Sequence, residues 1–266
     1  MNKIKNIFSY LANLTNFIFI ILITAFLLTG FLSGCKNSAG SETGRDENIL
    51  LVGSDTTYPP FEYMEDGSLT GFDIDLINEV AKRMGKEIEI SSVKWDPEFK
   101  DLRDGKLDMI ISAVQITEDK EGIVDFSDPY FTLEYLMISL SESEIKIKED
   151  LAGKNIGVLK IGMESLDEDY LLNYKVSVYE DIMVMLEDLK NKKIEAILIS
   201  LPLSISLLRD NNEMYMVLDR IKSKKEFGIV FNEGSILREE INAILKEINA
   251  DGTYQNIFDK WFNYNV

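Results

Sequence analysis

Apolar runs alternate with amphipathic stretches along the chain from Ile49 onwards. Short apolar runs bounded by glycine or polar residues predict buried strands, whereas apolar residues three and four apart predict helices. The predicted strands are Ile49–Ser54, Glu87–Val93, Leu107–Ser112, Asn155–Leu159, Val176–Tyr179, Ala196–Ser200 and Gly228–Phe231. The predicted helices are Asp73–Met84, Asp96–Gly105, a turn at Glu149–Leu151, Met163–Leu172, Asp181–Lys190, Pro202–Arg209, Ser235–Asn249 and a last helix ending near Phe262. This alternation predicts an α/β fold.

The helix at Ser235–Asn249 has one apolar face, and the sequence predicts that this face is buried. Its members are spaced as helical neighbours. They are Ile236, Ile241, Ile244, Leu245 and Ile248.

The stretch Ser112–Tyr130 has the features of an anion site. It follows the predicted strand Leu107–Ser112, and ligands bind beyond the carboxyl ends of strands in open α/β sheets. Thr117 is a candidate N-cap for a short helix, whose free N–H groups and Lys120 ammonium would favour an anion. Pro129 disfavours helix at the residue before it, so the chain leaves this region extended.

Four segments in order resemble the family 3 extracellular solute-binding proteins, the polar amino-acid receptors of ABC importers. Ser112–Tyr130 is one of them. Gly53–Phe61 looks like the opening strand and loop of the family, and Gly71–Leu76 looks like its first helix. Asp251–Tyr254 and Lys260–Phe262 look like its C-terminus. The similarity runs from about Ile49 to the end of the chain.

The resemblance implies a type II periplasmic-binding-protein fold with two lobes, each an open sheet flanked by helices. The lobes would be joined by two hinge crossovers, near Tyr130–Glu134 and near Glu226–Phe227. Lobe 1 would comprise residues 49–130 and 228–266, and lobe 2 residues 135–226. The ligand would bind between the lobes, which close on it.

The resemblance also places three residues of lobe 1 around the ligand's side chain. Asp55 would meet an amine or amide, although it could instead cap its loop. Tyr58 and Trp95 would form flat aromatic walls with cation–π capacity. The alternative for these two rings is packing in the core.

A second group of lobe 1 residues would bind the ligand's ammonium and carboxylate. Ser112, Ala113 and Gln115 match the family's polar rim, where Ala113 can act only through its backbone. Lys120 stands at the position of the carboxylate-clamping arginine of the family. A lysine offers a compact hydrated charge instead of a planar fork, so this exchange changes how a carboxylate can be held. The alternative for Lys120 is a solvated surface position.

The lobe 2 residues depart further from the family. Gly162, Met163 and Glu164 match a loop of one glycine and two threonines, so the hydroxyl groups are missing here. Ser200 stands where many members have the aspartate that pairs with an α-ammonium. A buried ammonium without an acid is costly. Either Glu164 substitutes for that acid, or the ligand is not an ordinary α-amino acid.

The N-terminus resembles a bacterial lipoprotein signal. A basic start precedes an apolar run at Phe17–Leu28, and Leu32-Ser33-Gly34-Cys35 resembles a lipobox. We therefore expect removal of residues 1–34 and stable anchoring through acylated Cys35. Residues 35–48 are rich in Ser, Gly and Glu and predict a flexible tether.

The alternative for this segment is an uncleaved transmembrane anchor at Phe8–Leu32. Asn13, Thr15 and Asn16 interrupt that stretch and leave an apolar core that is short for a membrane span. The signal peptide is the favoured interpretation.

The charge of the chain excludes one class of partner. With 28 basic and 46 acidic residues the net charge is −18, and nucleic-acid phosphates would repel it. Cys35 is the only cysteine and there is no histidine, so we expect no disulfide, no metal site and no other cofactor.

The function that follows is an extracytoplasmic, membrane-anchored receptor of the cell envelope. We expect a monomer that captures a small polar solute, an amino acid or a relative, and delivers it to an ABC permease. A sensory protein acting on a separate membrane partner is an alternative with the same fold. A third is an enzyme like the cyclohexadienyl dehydratases, with Asp55 or Glu164 as the acid, although histidine and a free cysteine are missing as bases or nucleophiles.

Overall fold

Two separate sheets of five strands each carry the fold in the computed structural model, which describes residues 46, 48–166, 168–211 and 213–263. The predicted signal peptide and Cys35 lie outside the described residues. No helix within the described ranges combines the length and apolar character needed to cross a bilayer.

The first sheet has the strand order β5-β1-β6-β13-β7. Its strands are β1 (Ile49–Ser54), β5 (Glu87–Ser92), β6 (Met109–Ile110), β7 (Asp125–Phe126) and β13 (Val230–Phe231). β1 pairs in parallel with β5 and β6, and β13 is antiparallel to β6 and β7. This sheet therefore combines strands from two distant parts of the chain.

The second sheet has the order β10-β9-β11-β8-β12 and is drawn from residues 131–227. Its strands are β8 (Phe131–Leu140), β9 (Asn155–Leu159), β10 (Lys175–Tyr179), β11 (Ala196–Ser200) and β12 (Tyr215–Phe227). β9 is parallel to both β10 and β11, whereas β8 is antiparallel to β11 and β12. The lobe boundaries predicted above follow this division into sheets, but they remain a prediction.

Helices flank both sheets. They are α1 (Phe72–Met84), α2 (Lys100–Arg103), α3 (Glu118–Glu121), α4 (Lys160–Met163), α5 (Glu168–Leu171), α6 (Ile182–Lys190), α7 (Leu201–Asp210), α8 (Leu237–Ala250) and α9 (Thr253–Phe262), with a 3-10 turn at Lys148–Leu151. The predicted α/β class is confirmed.

A small hairpin sheet connects β1 to α1. It consists of β2 (Thr57–Tyr58), β3 (Glu62–Glu65) and β4 (Ser68–Thr70). Gly71 follows with φ 137°, and a Cβ there would lie 2.0 Å from the Phe61 carbonyl oxygen. The N–H groups of Phe72 and Asp73 donate to the carbonyls of Pro60 and Phe61, both at 2.9 Å. The absence of a side chain at Gly71 therefore allows the start of α1 to pack closely against the residues that precede β3.

Several predicted elements differ from the structure. Leu107–Ser112 forms ladder pairs only at β6, because Ala113 with φ 44° ends the extended run. Met163–Leu172 is not one helix but the separate turns α4 and α5. Ile236 was predicted on a buried face but is 88% exposed, because it lies before the first turn of α8.

An aromatic cluster lies where β8 and β12 meet the elements of the first lobe. Phe131 and Phe227 begin and end these two strands, pair with each other in the ladder and stack with ring centroids 5.6 Å apart. Further rings pack edge-on or tilted against this pair. They come from the residue before β3, from α1 and from α9. They are Phe61, Phe72 and Phe262. The cluster supports the floor of the site described below.

Candidate ligand-binding site

A cleft of about 390 Å³ is lined by residues of the second sheet, by Tyr58 of the hairpin sheet and by the loop that follows β6. In the second sheet β9 and β11 reach it with their carboxyl ends, the edge at which open α/β sheets bind ligands. The lining residues are Tyr58, Ala113, Gln115, Leu133, Tyr135, Leu159, Ile161, Gly162, Leu198, Ile199, Ser200, Leu203, Lys225 and Phe227. The walls are therefore mainly apolar, with a few polar groups that can orient a ligand.

Five of the predicted site residues line this cleft. Three come from the first lobe and two from the second. They are Tyr58, Ala113, Gln115, Gly162 and Ser200. The fold therefore brings together positions 142 residues apart along the chain, from Tyr58 to Ser200. What each of them does to a ligand remains a prediction.

Three other predicted residues line a second, smaller cavity of about 40 Å³. These are Asp55, Trp95 and Ser112. The Asp55 side chain accepts a hydrogen bond from the Thr57 hydroxyl, and its own N–H donates to Ser112 Oγ at 3.0 Å. The alternative role of Asp55, as a cap of its loop, is thus also satisfied by the geometry.

Lys120 contacts one lining residue of each cavity. Its Nζ donates a hydrogen bond of 2.9 Å to the carbonyl oxygen of Gln115, which lines the larger cleft. The same ammonium lies 5.9 Å from the ring centroid of Trp95, which lines the smaller one. Burial lowers the pKa of Lys120, and Lys225 acts in the same direction. Lys120 is thus half-buried, not a solvated surface residue.

Met163 and Glu164 do not line the cleft. The turn α4 begins at Lys160, and successive residues of a helix point about 100° apart. Ile161 and Gly162 therefore reach the cleft, while the side chain of Met163 packs against the core and Glu164 is exposed.

Gly162 permits a close approach between α4 and β8. A Cβ at this position would lie 3.1 Å from Cε1 and 3.4 Å from the hydroxyl of Tyr135. Tyr135 lines the cleft and is 4% exposed, so its ring has little room to move. The shape of this wall depends on the absence of a side chain at Gly162.

A buried acidic pair beneath the cleft was not predicted from the sequence. Glu62 and Asp73 are both fully buried. Ser112 Oγ donates to Glu62 Oε1 at 2.6 Å, while the Ala113 N–H and the Tyr130 hydroxyl donate to Asp73 Oδ2 at 2.8 and 2.9 Å. The pair thus holds the backbone at Ser112 and Ala113, where the predicted polar rim begins.

The pKa values of both carboxyl groups are raised above their ordinary values. Burial, together with repulsion from Asp73, raises the pKa of Glu62 from its ordinary 4.5 to about 10. Burial also raises the pKa of Asp73, to about 7, although the hydrogen bonds from Ala113 and Tyr130 act in the opposite direction. Burial and the neighbouring Asp73 therefore both favour the protonated form of Glu62.

Lys225, Phe227 and Tyr135 are cleft residues that the sequence interpretation missed, because β8 and β12 were not predicted as long strands. β12 is an edge strand in which exposed and partly buried positions alternate, with Lys222 and Lys224 exposed and Lys225 partly buried. Charged residues are typical of such edges. Residues two apart in a strand share a face, so recognising β12 would have placed Lys225 beside Phe227.

Comparison with known proteins gives the family and the fold of the chain. Residues 50–264 match the model of the bacterial extracellular solute-binding proteins, family 3. The chain is 31% identical over 227 residues to the L-cystine-binding protein TcyJ of Escherichia coli K12, covering 84% of this chain and 85% of that protein. It is 28% identical over 252 residues to the arginine-binding extracellular protein ArtP of Bacillus subtilis 168, covering 91% and 97%.

A solved structure supports the same assignment. An ancestral cationic amino acid solute-binding protein superposes with a TM-score of 0.62 at 27% identity, covering 81% of this chain and 96% of that one. The chain belongs to the family 3 extracellular solute-binding proteins. It has their two-lobed, type II periplasmic-binding-protein fold.

Proposed function

We propose that this protein is a lipid-anchored, extracytoplasmic receptor that captures an amino acid or a close relative and delivers it to an ABC importer. The observation that carries the proposal is the cleft between the second sheet and the loops that follow β1 and β6, with Lys120 bonded to Gln115 at its edge. An ammonium at that position suits the carboxylate that all amino acids share. The relatives named above bind cystine and arginine, which supports an amino acid as the ligand class.

The ligand class can be tested by titration calorimetry on the purified full-length protein in detergent. We expect at least one amino acid to bind, and to stabilise the protein by about 2.7 kcal/mol at 100 times its dissociation constant. The control is Tyr58→Ala, which removes a half-exposed cleft ring and should weaken binding without lowering the melting temperature much. An amine or sugar that binds while no amino acid does would contradict the proposal.

Lipid anchoring rests on the lipobox ending at Cys35, the only cysteine of the chain. Cys35→Ser should abolish incorporation of a labelled fatty acid and leave the protein soluble or unprocessed. The matched control is Ser33→Ala, which keeps the cysteine. If the Cys35→Ser protein is cleaved normally and stays with the membrane, this part of the proposal is wrong.

Delivery to an importer has a separate test. The test uses vesicles that contain a candidate ABC permease and its ATPase. These vesicles should take up the solute only when the receptor is supplied. Uptake that does not depend on the receptor would favour a sensory role instead.

A further inference from the structure

Lys225 occupies an irregular part of the ladder between β8 and β12. Lys222 pairs with Glu134 and Glu226 pairs with Thr132. Between these pairs β12 has Ser223, Lys224 and Lys225 opposite Leu133 alone. Because two extra residues keep the period of two along the strand, Lys225 stays on the same side as Phe227 and lines the cleft, while Lys224 is exposed.

The backbone beside this bulge is joined to the loop that carries Gln115. The Ile116 N–H donates to the Glu226 carbonyl at 2.9 Å, and the Gly228 N–H donates to the Val114 carbonyl at 3.0 Å. Gln115 itself is bridged to Phe227. Because Lys120 donates to the Gln115 carbonyl, Lys120 and Lys225 approach the cleft around the same residue.

The charges around the cleft are unbalanced. The residues that line it include Lys225 but no aspartate or glutamate. Within the described ranges, neither Lys120 nor Lys225 forms a salt bridge, and the positive charge of Lys225 helps to lower the pKa of Lys120. Asp119 offsets part of this charge at Lys120, whereas Lys225 has no salt bridge among the described residues. A partly buried ammonium without an acidic partner is unfavourable, so an anionic ligand at Lys225 would relieve this cost.

We propose that Lys225 is a second anion-binding residue and that the cleft selects an amino acid with two carboxylates, one bound at Lys120 and the other at Lys225. This inference rests on the proposed function and narrows its ligand class. A ligand with a guanidinium or imidazolium group would face two like charges. The apolar walls between the lysines suit the methylene or disulfide spacer that separates two carboxylates, as in glutamate or in cystine.

Two ligands that differ by one charge test the proposal directly. On the full-length protein in detergent at low salt, L-glutamate should bind at least tenfold more tightly than L-glutamine, because a hydrogen bond to a charged group is stronger than one to a neutral group. L-Aspartate, L-cystine and L-arginine complete the series. Preference for glutamate or aspartate indicates a short dicarboxylate, preference for cystine indicates a long one, and both outcomes support two carboxylates.

Variants then test whether Lys225 binds the second carboxylate of the ligand. Lys225→Met should weaken the preferred dicarboxylate at least tenfold and change glutamine binding less than threefold. Lys224→Met, the exposed neighbour, should change neither. Lys225→Arg should retain most of the preference because it keeps the charge, and melting temperatures report whether each variant is folded.

The result separates this inference from the proposed function. If glutamine or arginine binds as tightly as every dicarboxylate, or if Lys225→Met behaves like the unmodified protein, the inference is overturned while the amino-acid receptor stands. If no amino acid of the series or of a wider panel binds, both are overturned.

Discussion

The hydroxyl of Tyr130 donates a hydrogen bond of 2.9 Å to Oδ2 of Asp73. Tyr130 is the last residue before β8 leaves for the second sheet, and Asp73 lies in the first turn of α1. The Ala113 N–H reaches the same carboxylate oxygen at 2.8 Å. One buried oxygen therefore joins a helix, a crossover strand and the rim of the cleft, and the protonation of its neighbour Glu62 affects all three.

The first prediction concerns pH. Glu62 titrates at its ordinary 4.5 when unfolded and at about 10 when folded, so between these values the folded state holds a proton that the unfolded state has lost. This contribution to the free energy of unfolding is present in full below pH 4.5 and declines as pH rises towards 10, by at most about 1.4 kcal/mol per pH unit. Asp73 adds a decline between its ordinary 3.8 and about 7.

Glu62→Gln should flatten this decline, because glutamine resembles the protonated acid and does not titrate. Urea denaturation between pH 5 and pH 9 measures it. Glu65→Gln serves as the control, since Glu65 lies in the same strand but is exposed. A Glu62→Gln curve parallel to that of the unmodified protein would rule out a titrating Glu62.

The second prediction uses two glycines of the hairpin region. Gly71→Ala should destabilise the protein by about 3 kcal/mol or more, because its φ is 137° and the new methyl would lie 2.0 Å from a backbone oxygen. Gly67→Ala should cost only about 1 kcal/mol, because its φ is 80° and no atom lies within 4 Å of the new Cβ. Denaturation in urea distinguishes the two, and equal losses would show that the contact with Phe61 is easily relieved.

The third prediction concerns the wall formed by Gly162 and Tyr135. Gly162→Ala should weaken ligand binding by about 1–2 kcal/mol, because the methyl lies 3.1 Å from the Tyr135 ring and displaces it into the cleft. In a Tyr135→Ala background the same change should have much less effect, since the opposing ring is absent. Calorimetry on the four proteins of this cycle gives the coupling, and additive effects would mean that the two residues act separately.

The fourth prediction concerns Lys120. Lys120→Ala should weaken a carboxylate ligand by about 1.5–3 kcal/mol, the range for a hydrogen bond to a charged group. Folding should hardly change, because the ammonium contacts only a backbone carbonyl and a ring at 5.9 Å. Lys106→Ala, which removes an exposed lysine elsewhere in the first lobe, is the control. Full affinity after Lys120→Ala would place the ligand carboxylate elsewhere.

Three strands with apolar runs could be predicted from the sequence with correct ends, although the run Leu107–Ser112 gave only the shorter β6. Ile49–Ser54, Asn155–Leu159 and Ala196–Ser200 agree with β1, β9 and β11 residue by residue, because burial on both faces demands an apolar run. β12 could not be predicted in this way, since an edge strand needs only half of its positions to be apolar. The long pairing of β8 with β12 emerges only in three dimensions.

The site residues also include some that the sequence predicts and some that it does not. Motif positions such as Gln115 and Ser200 were predicted because they match the pattern of the family that the sequence resembles. Asp73 was not, because an acid in the first turn of a helix is usually a solvated residue that favours the helix dipole. Asp73 is buried because Gly71 lets the chain pass within contact distance of Phe61. The local sequence predicts neither this burial nor the proximity of Glu62.

The bulge in β12 has a mechanical consequence. Both connections between the two five-stranded sheets pass through the antiparallel pair of β8 and β12. A rotation of one sheet against the other would bend this pair. We expect the bend where ladder hydrogen bonds are missing. That position is Ser223–Lys225. If the proposed ligand binds at Lys225, it would contact the ribbon at this interruption of the ladder, so binding and bending of the ribbon would be coupled at one place.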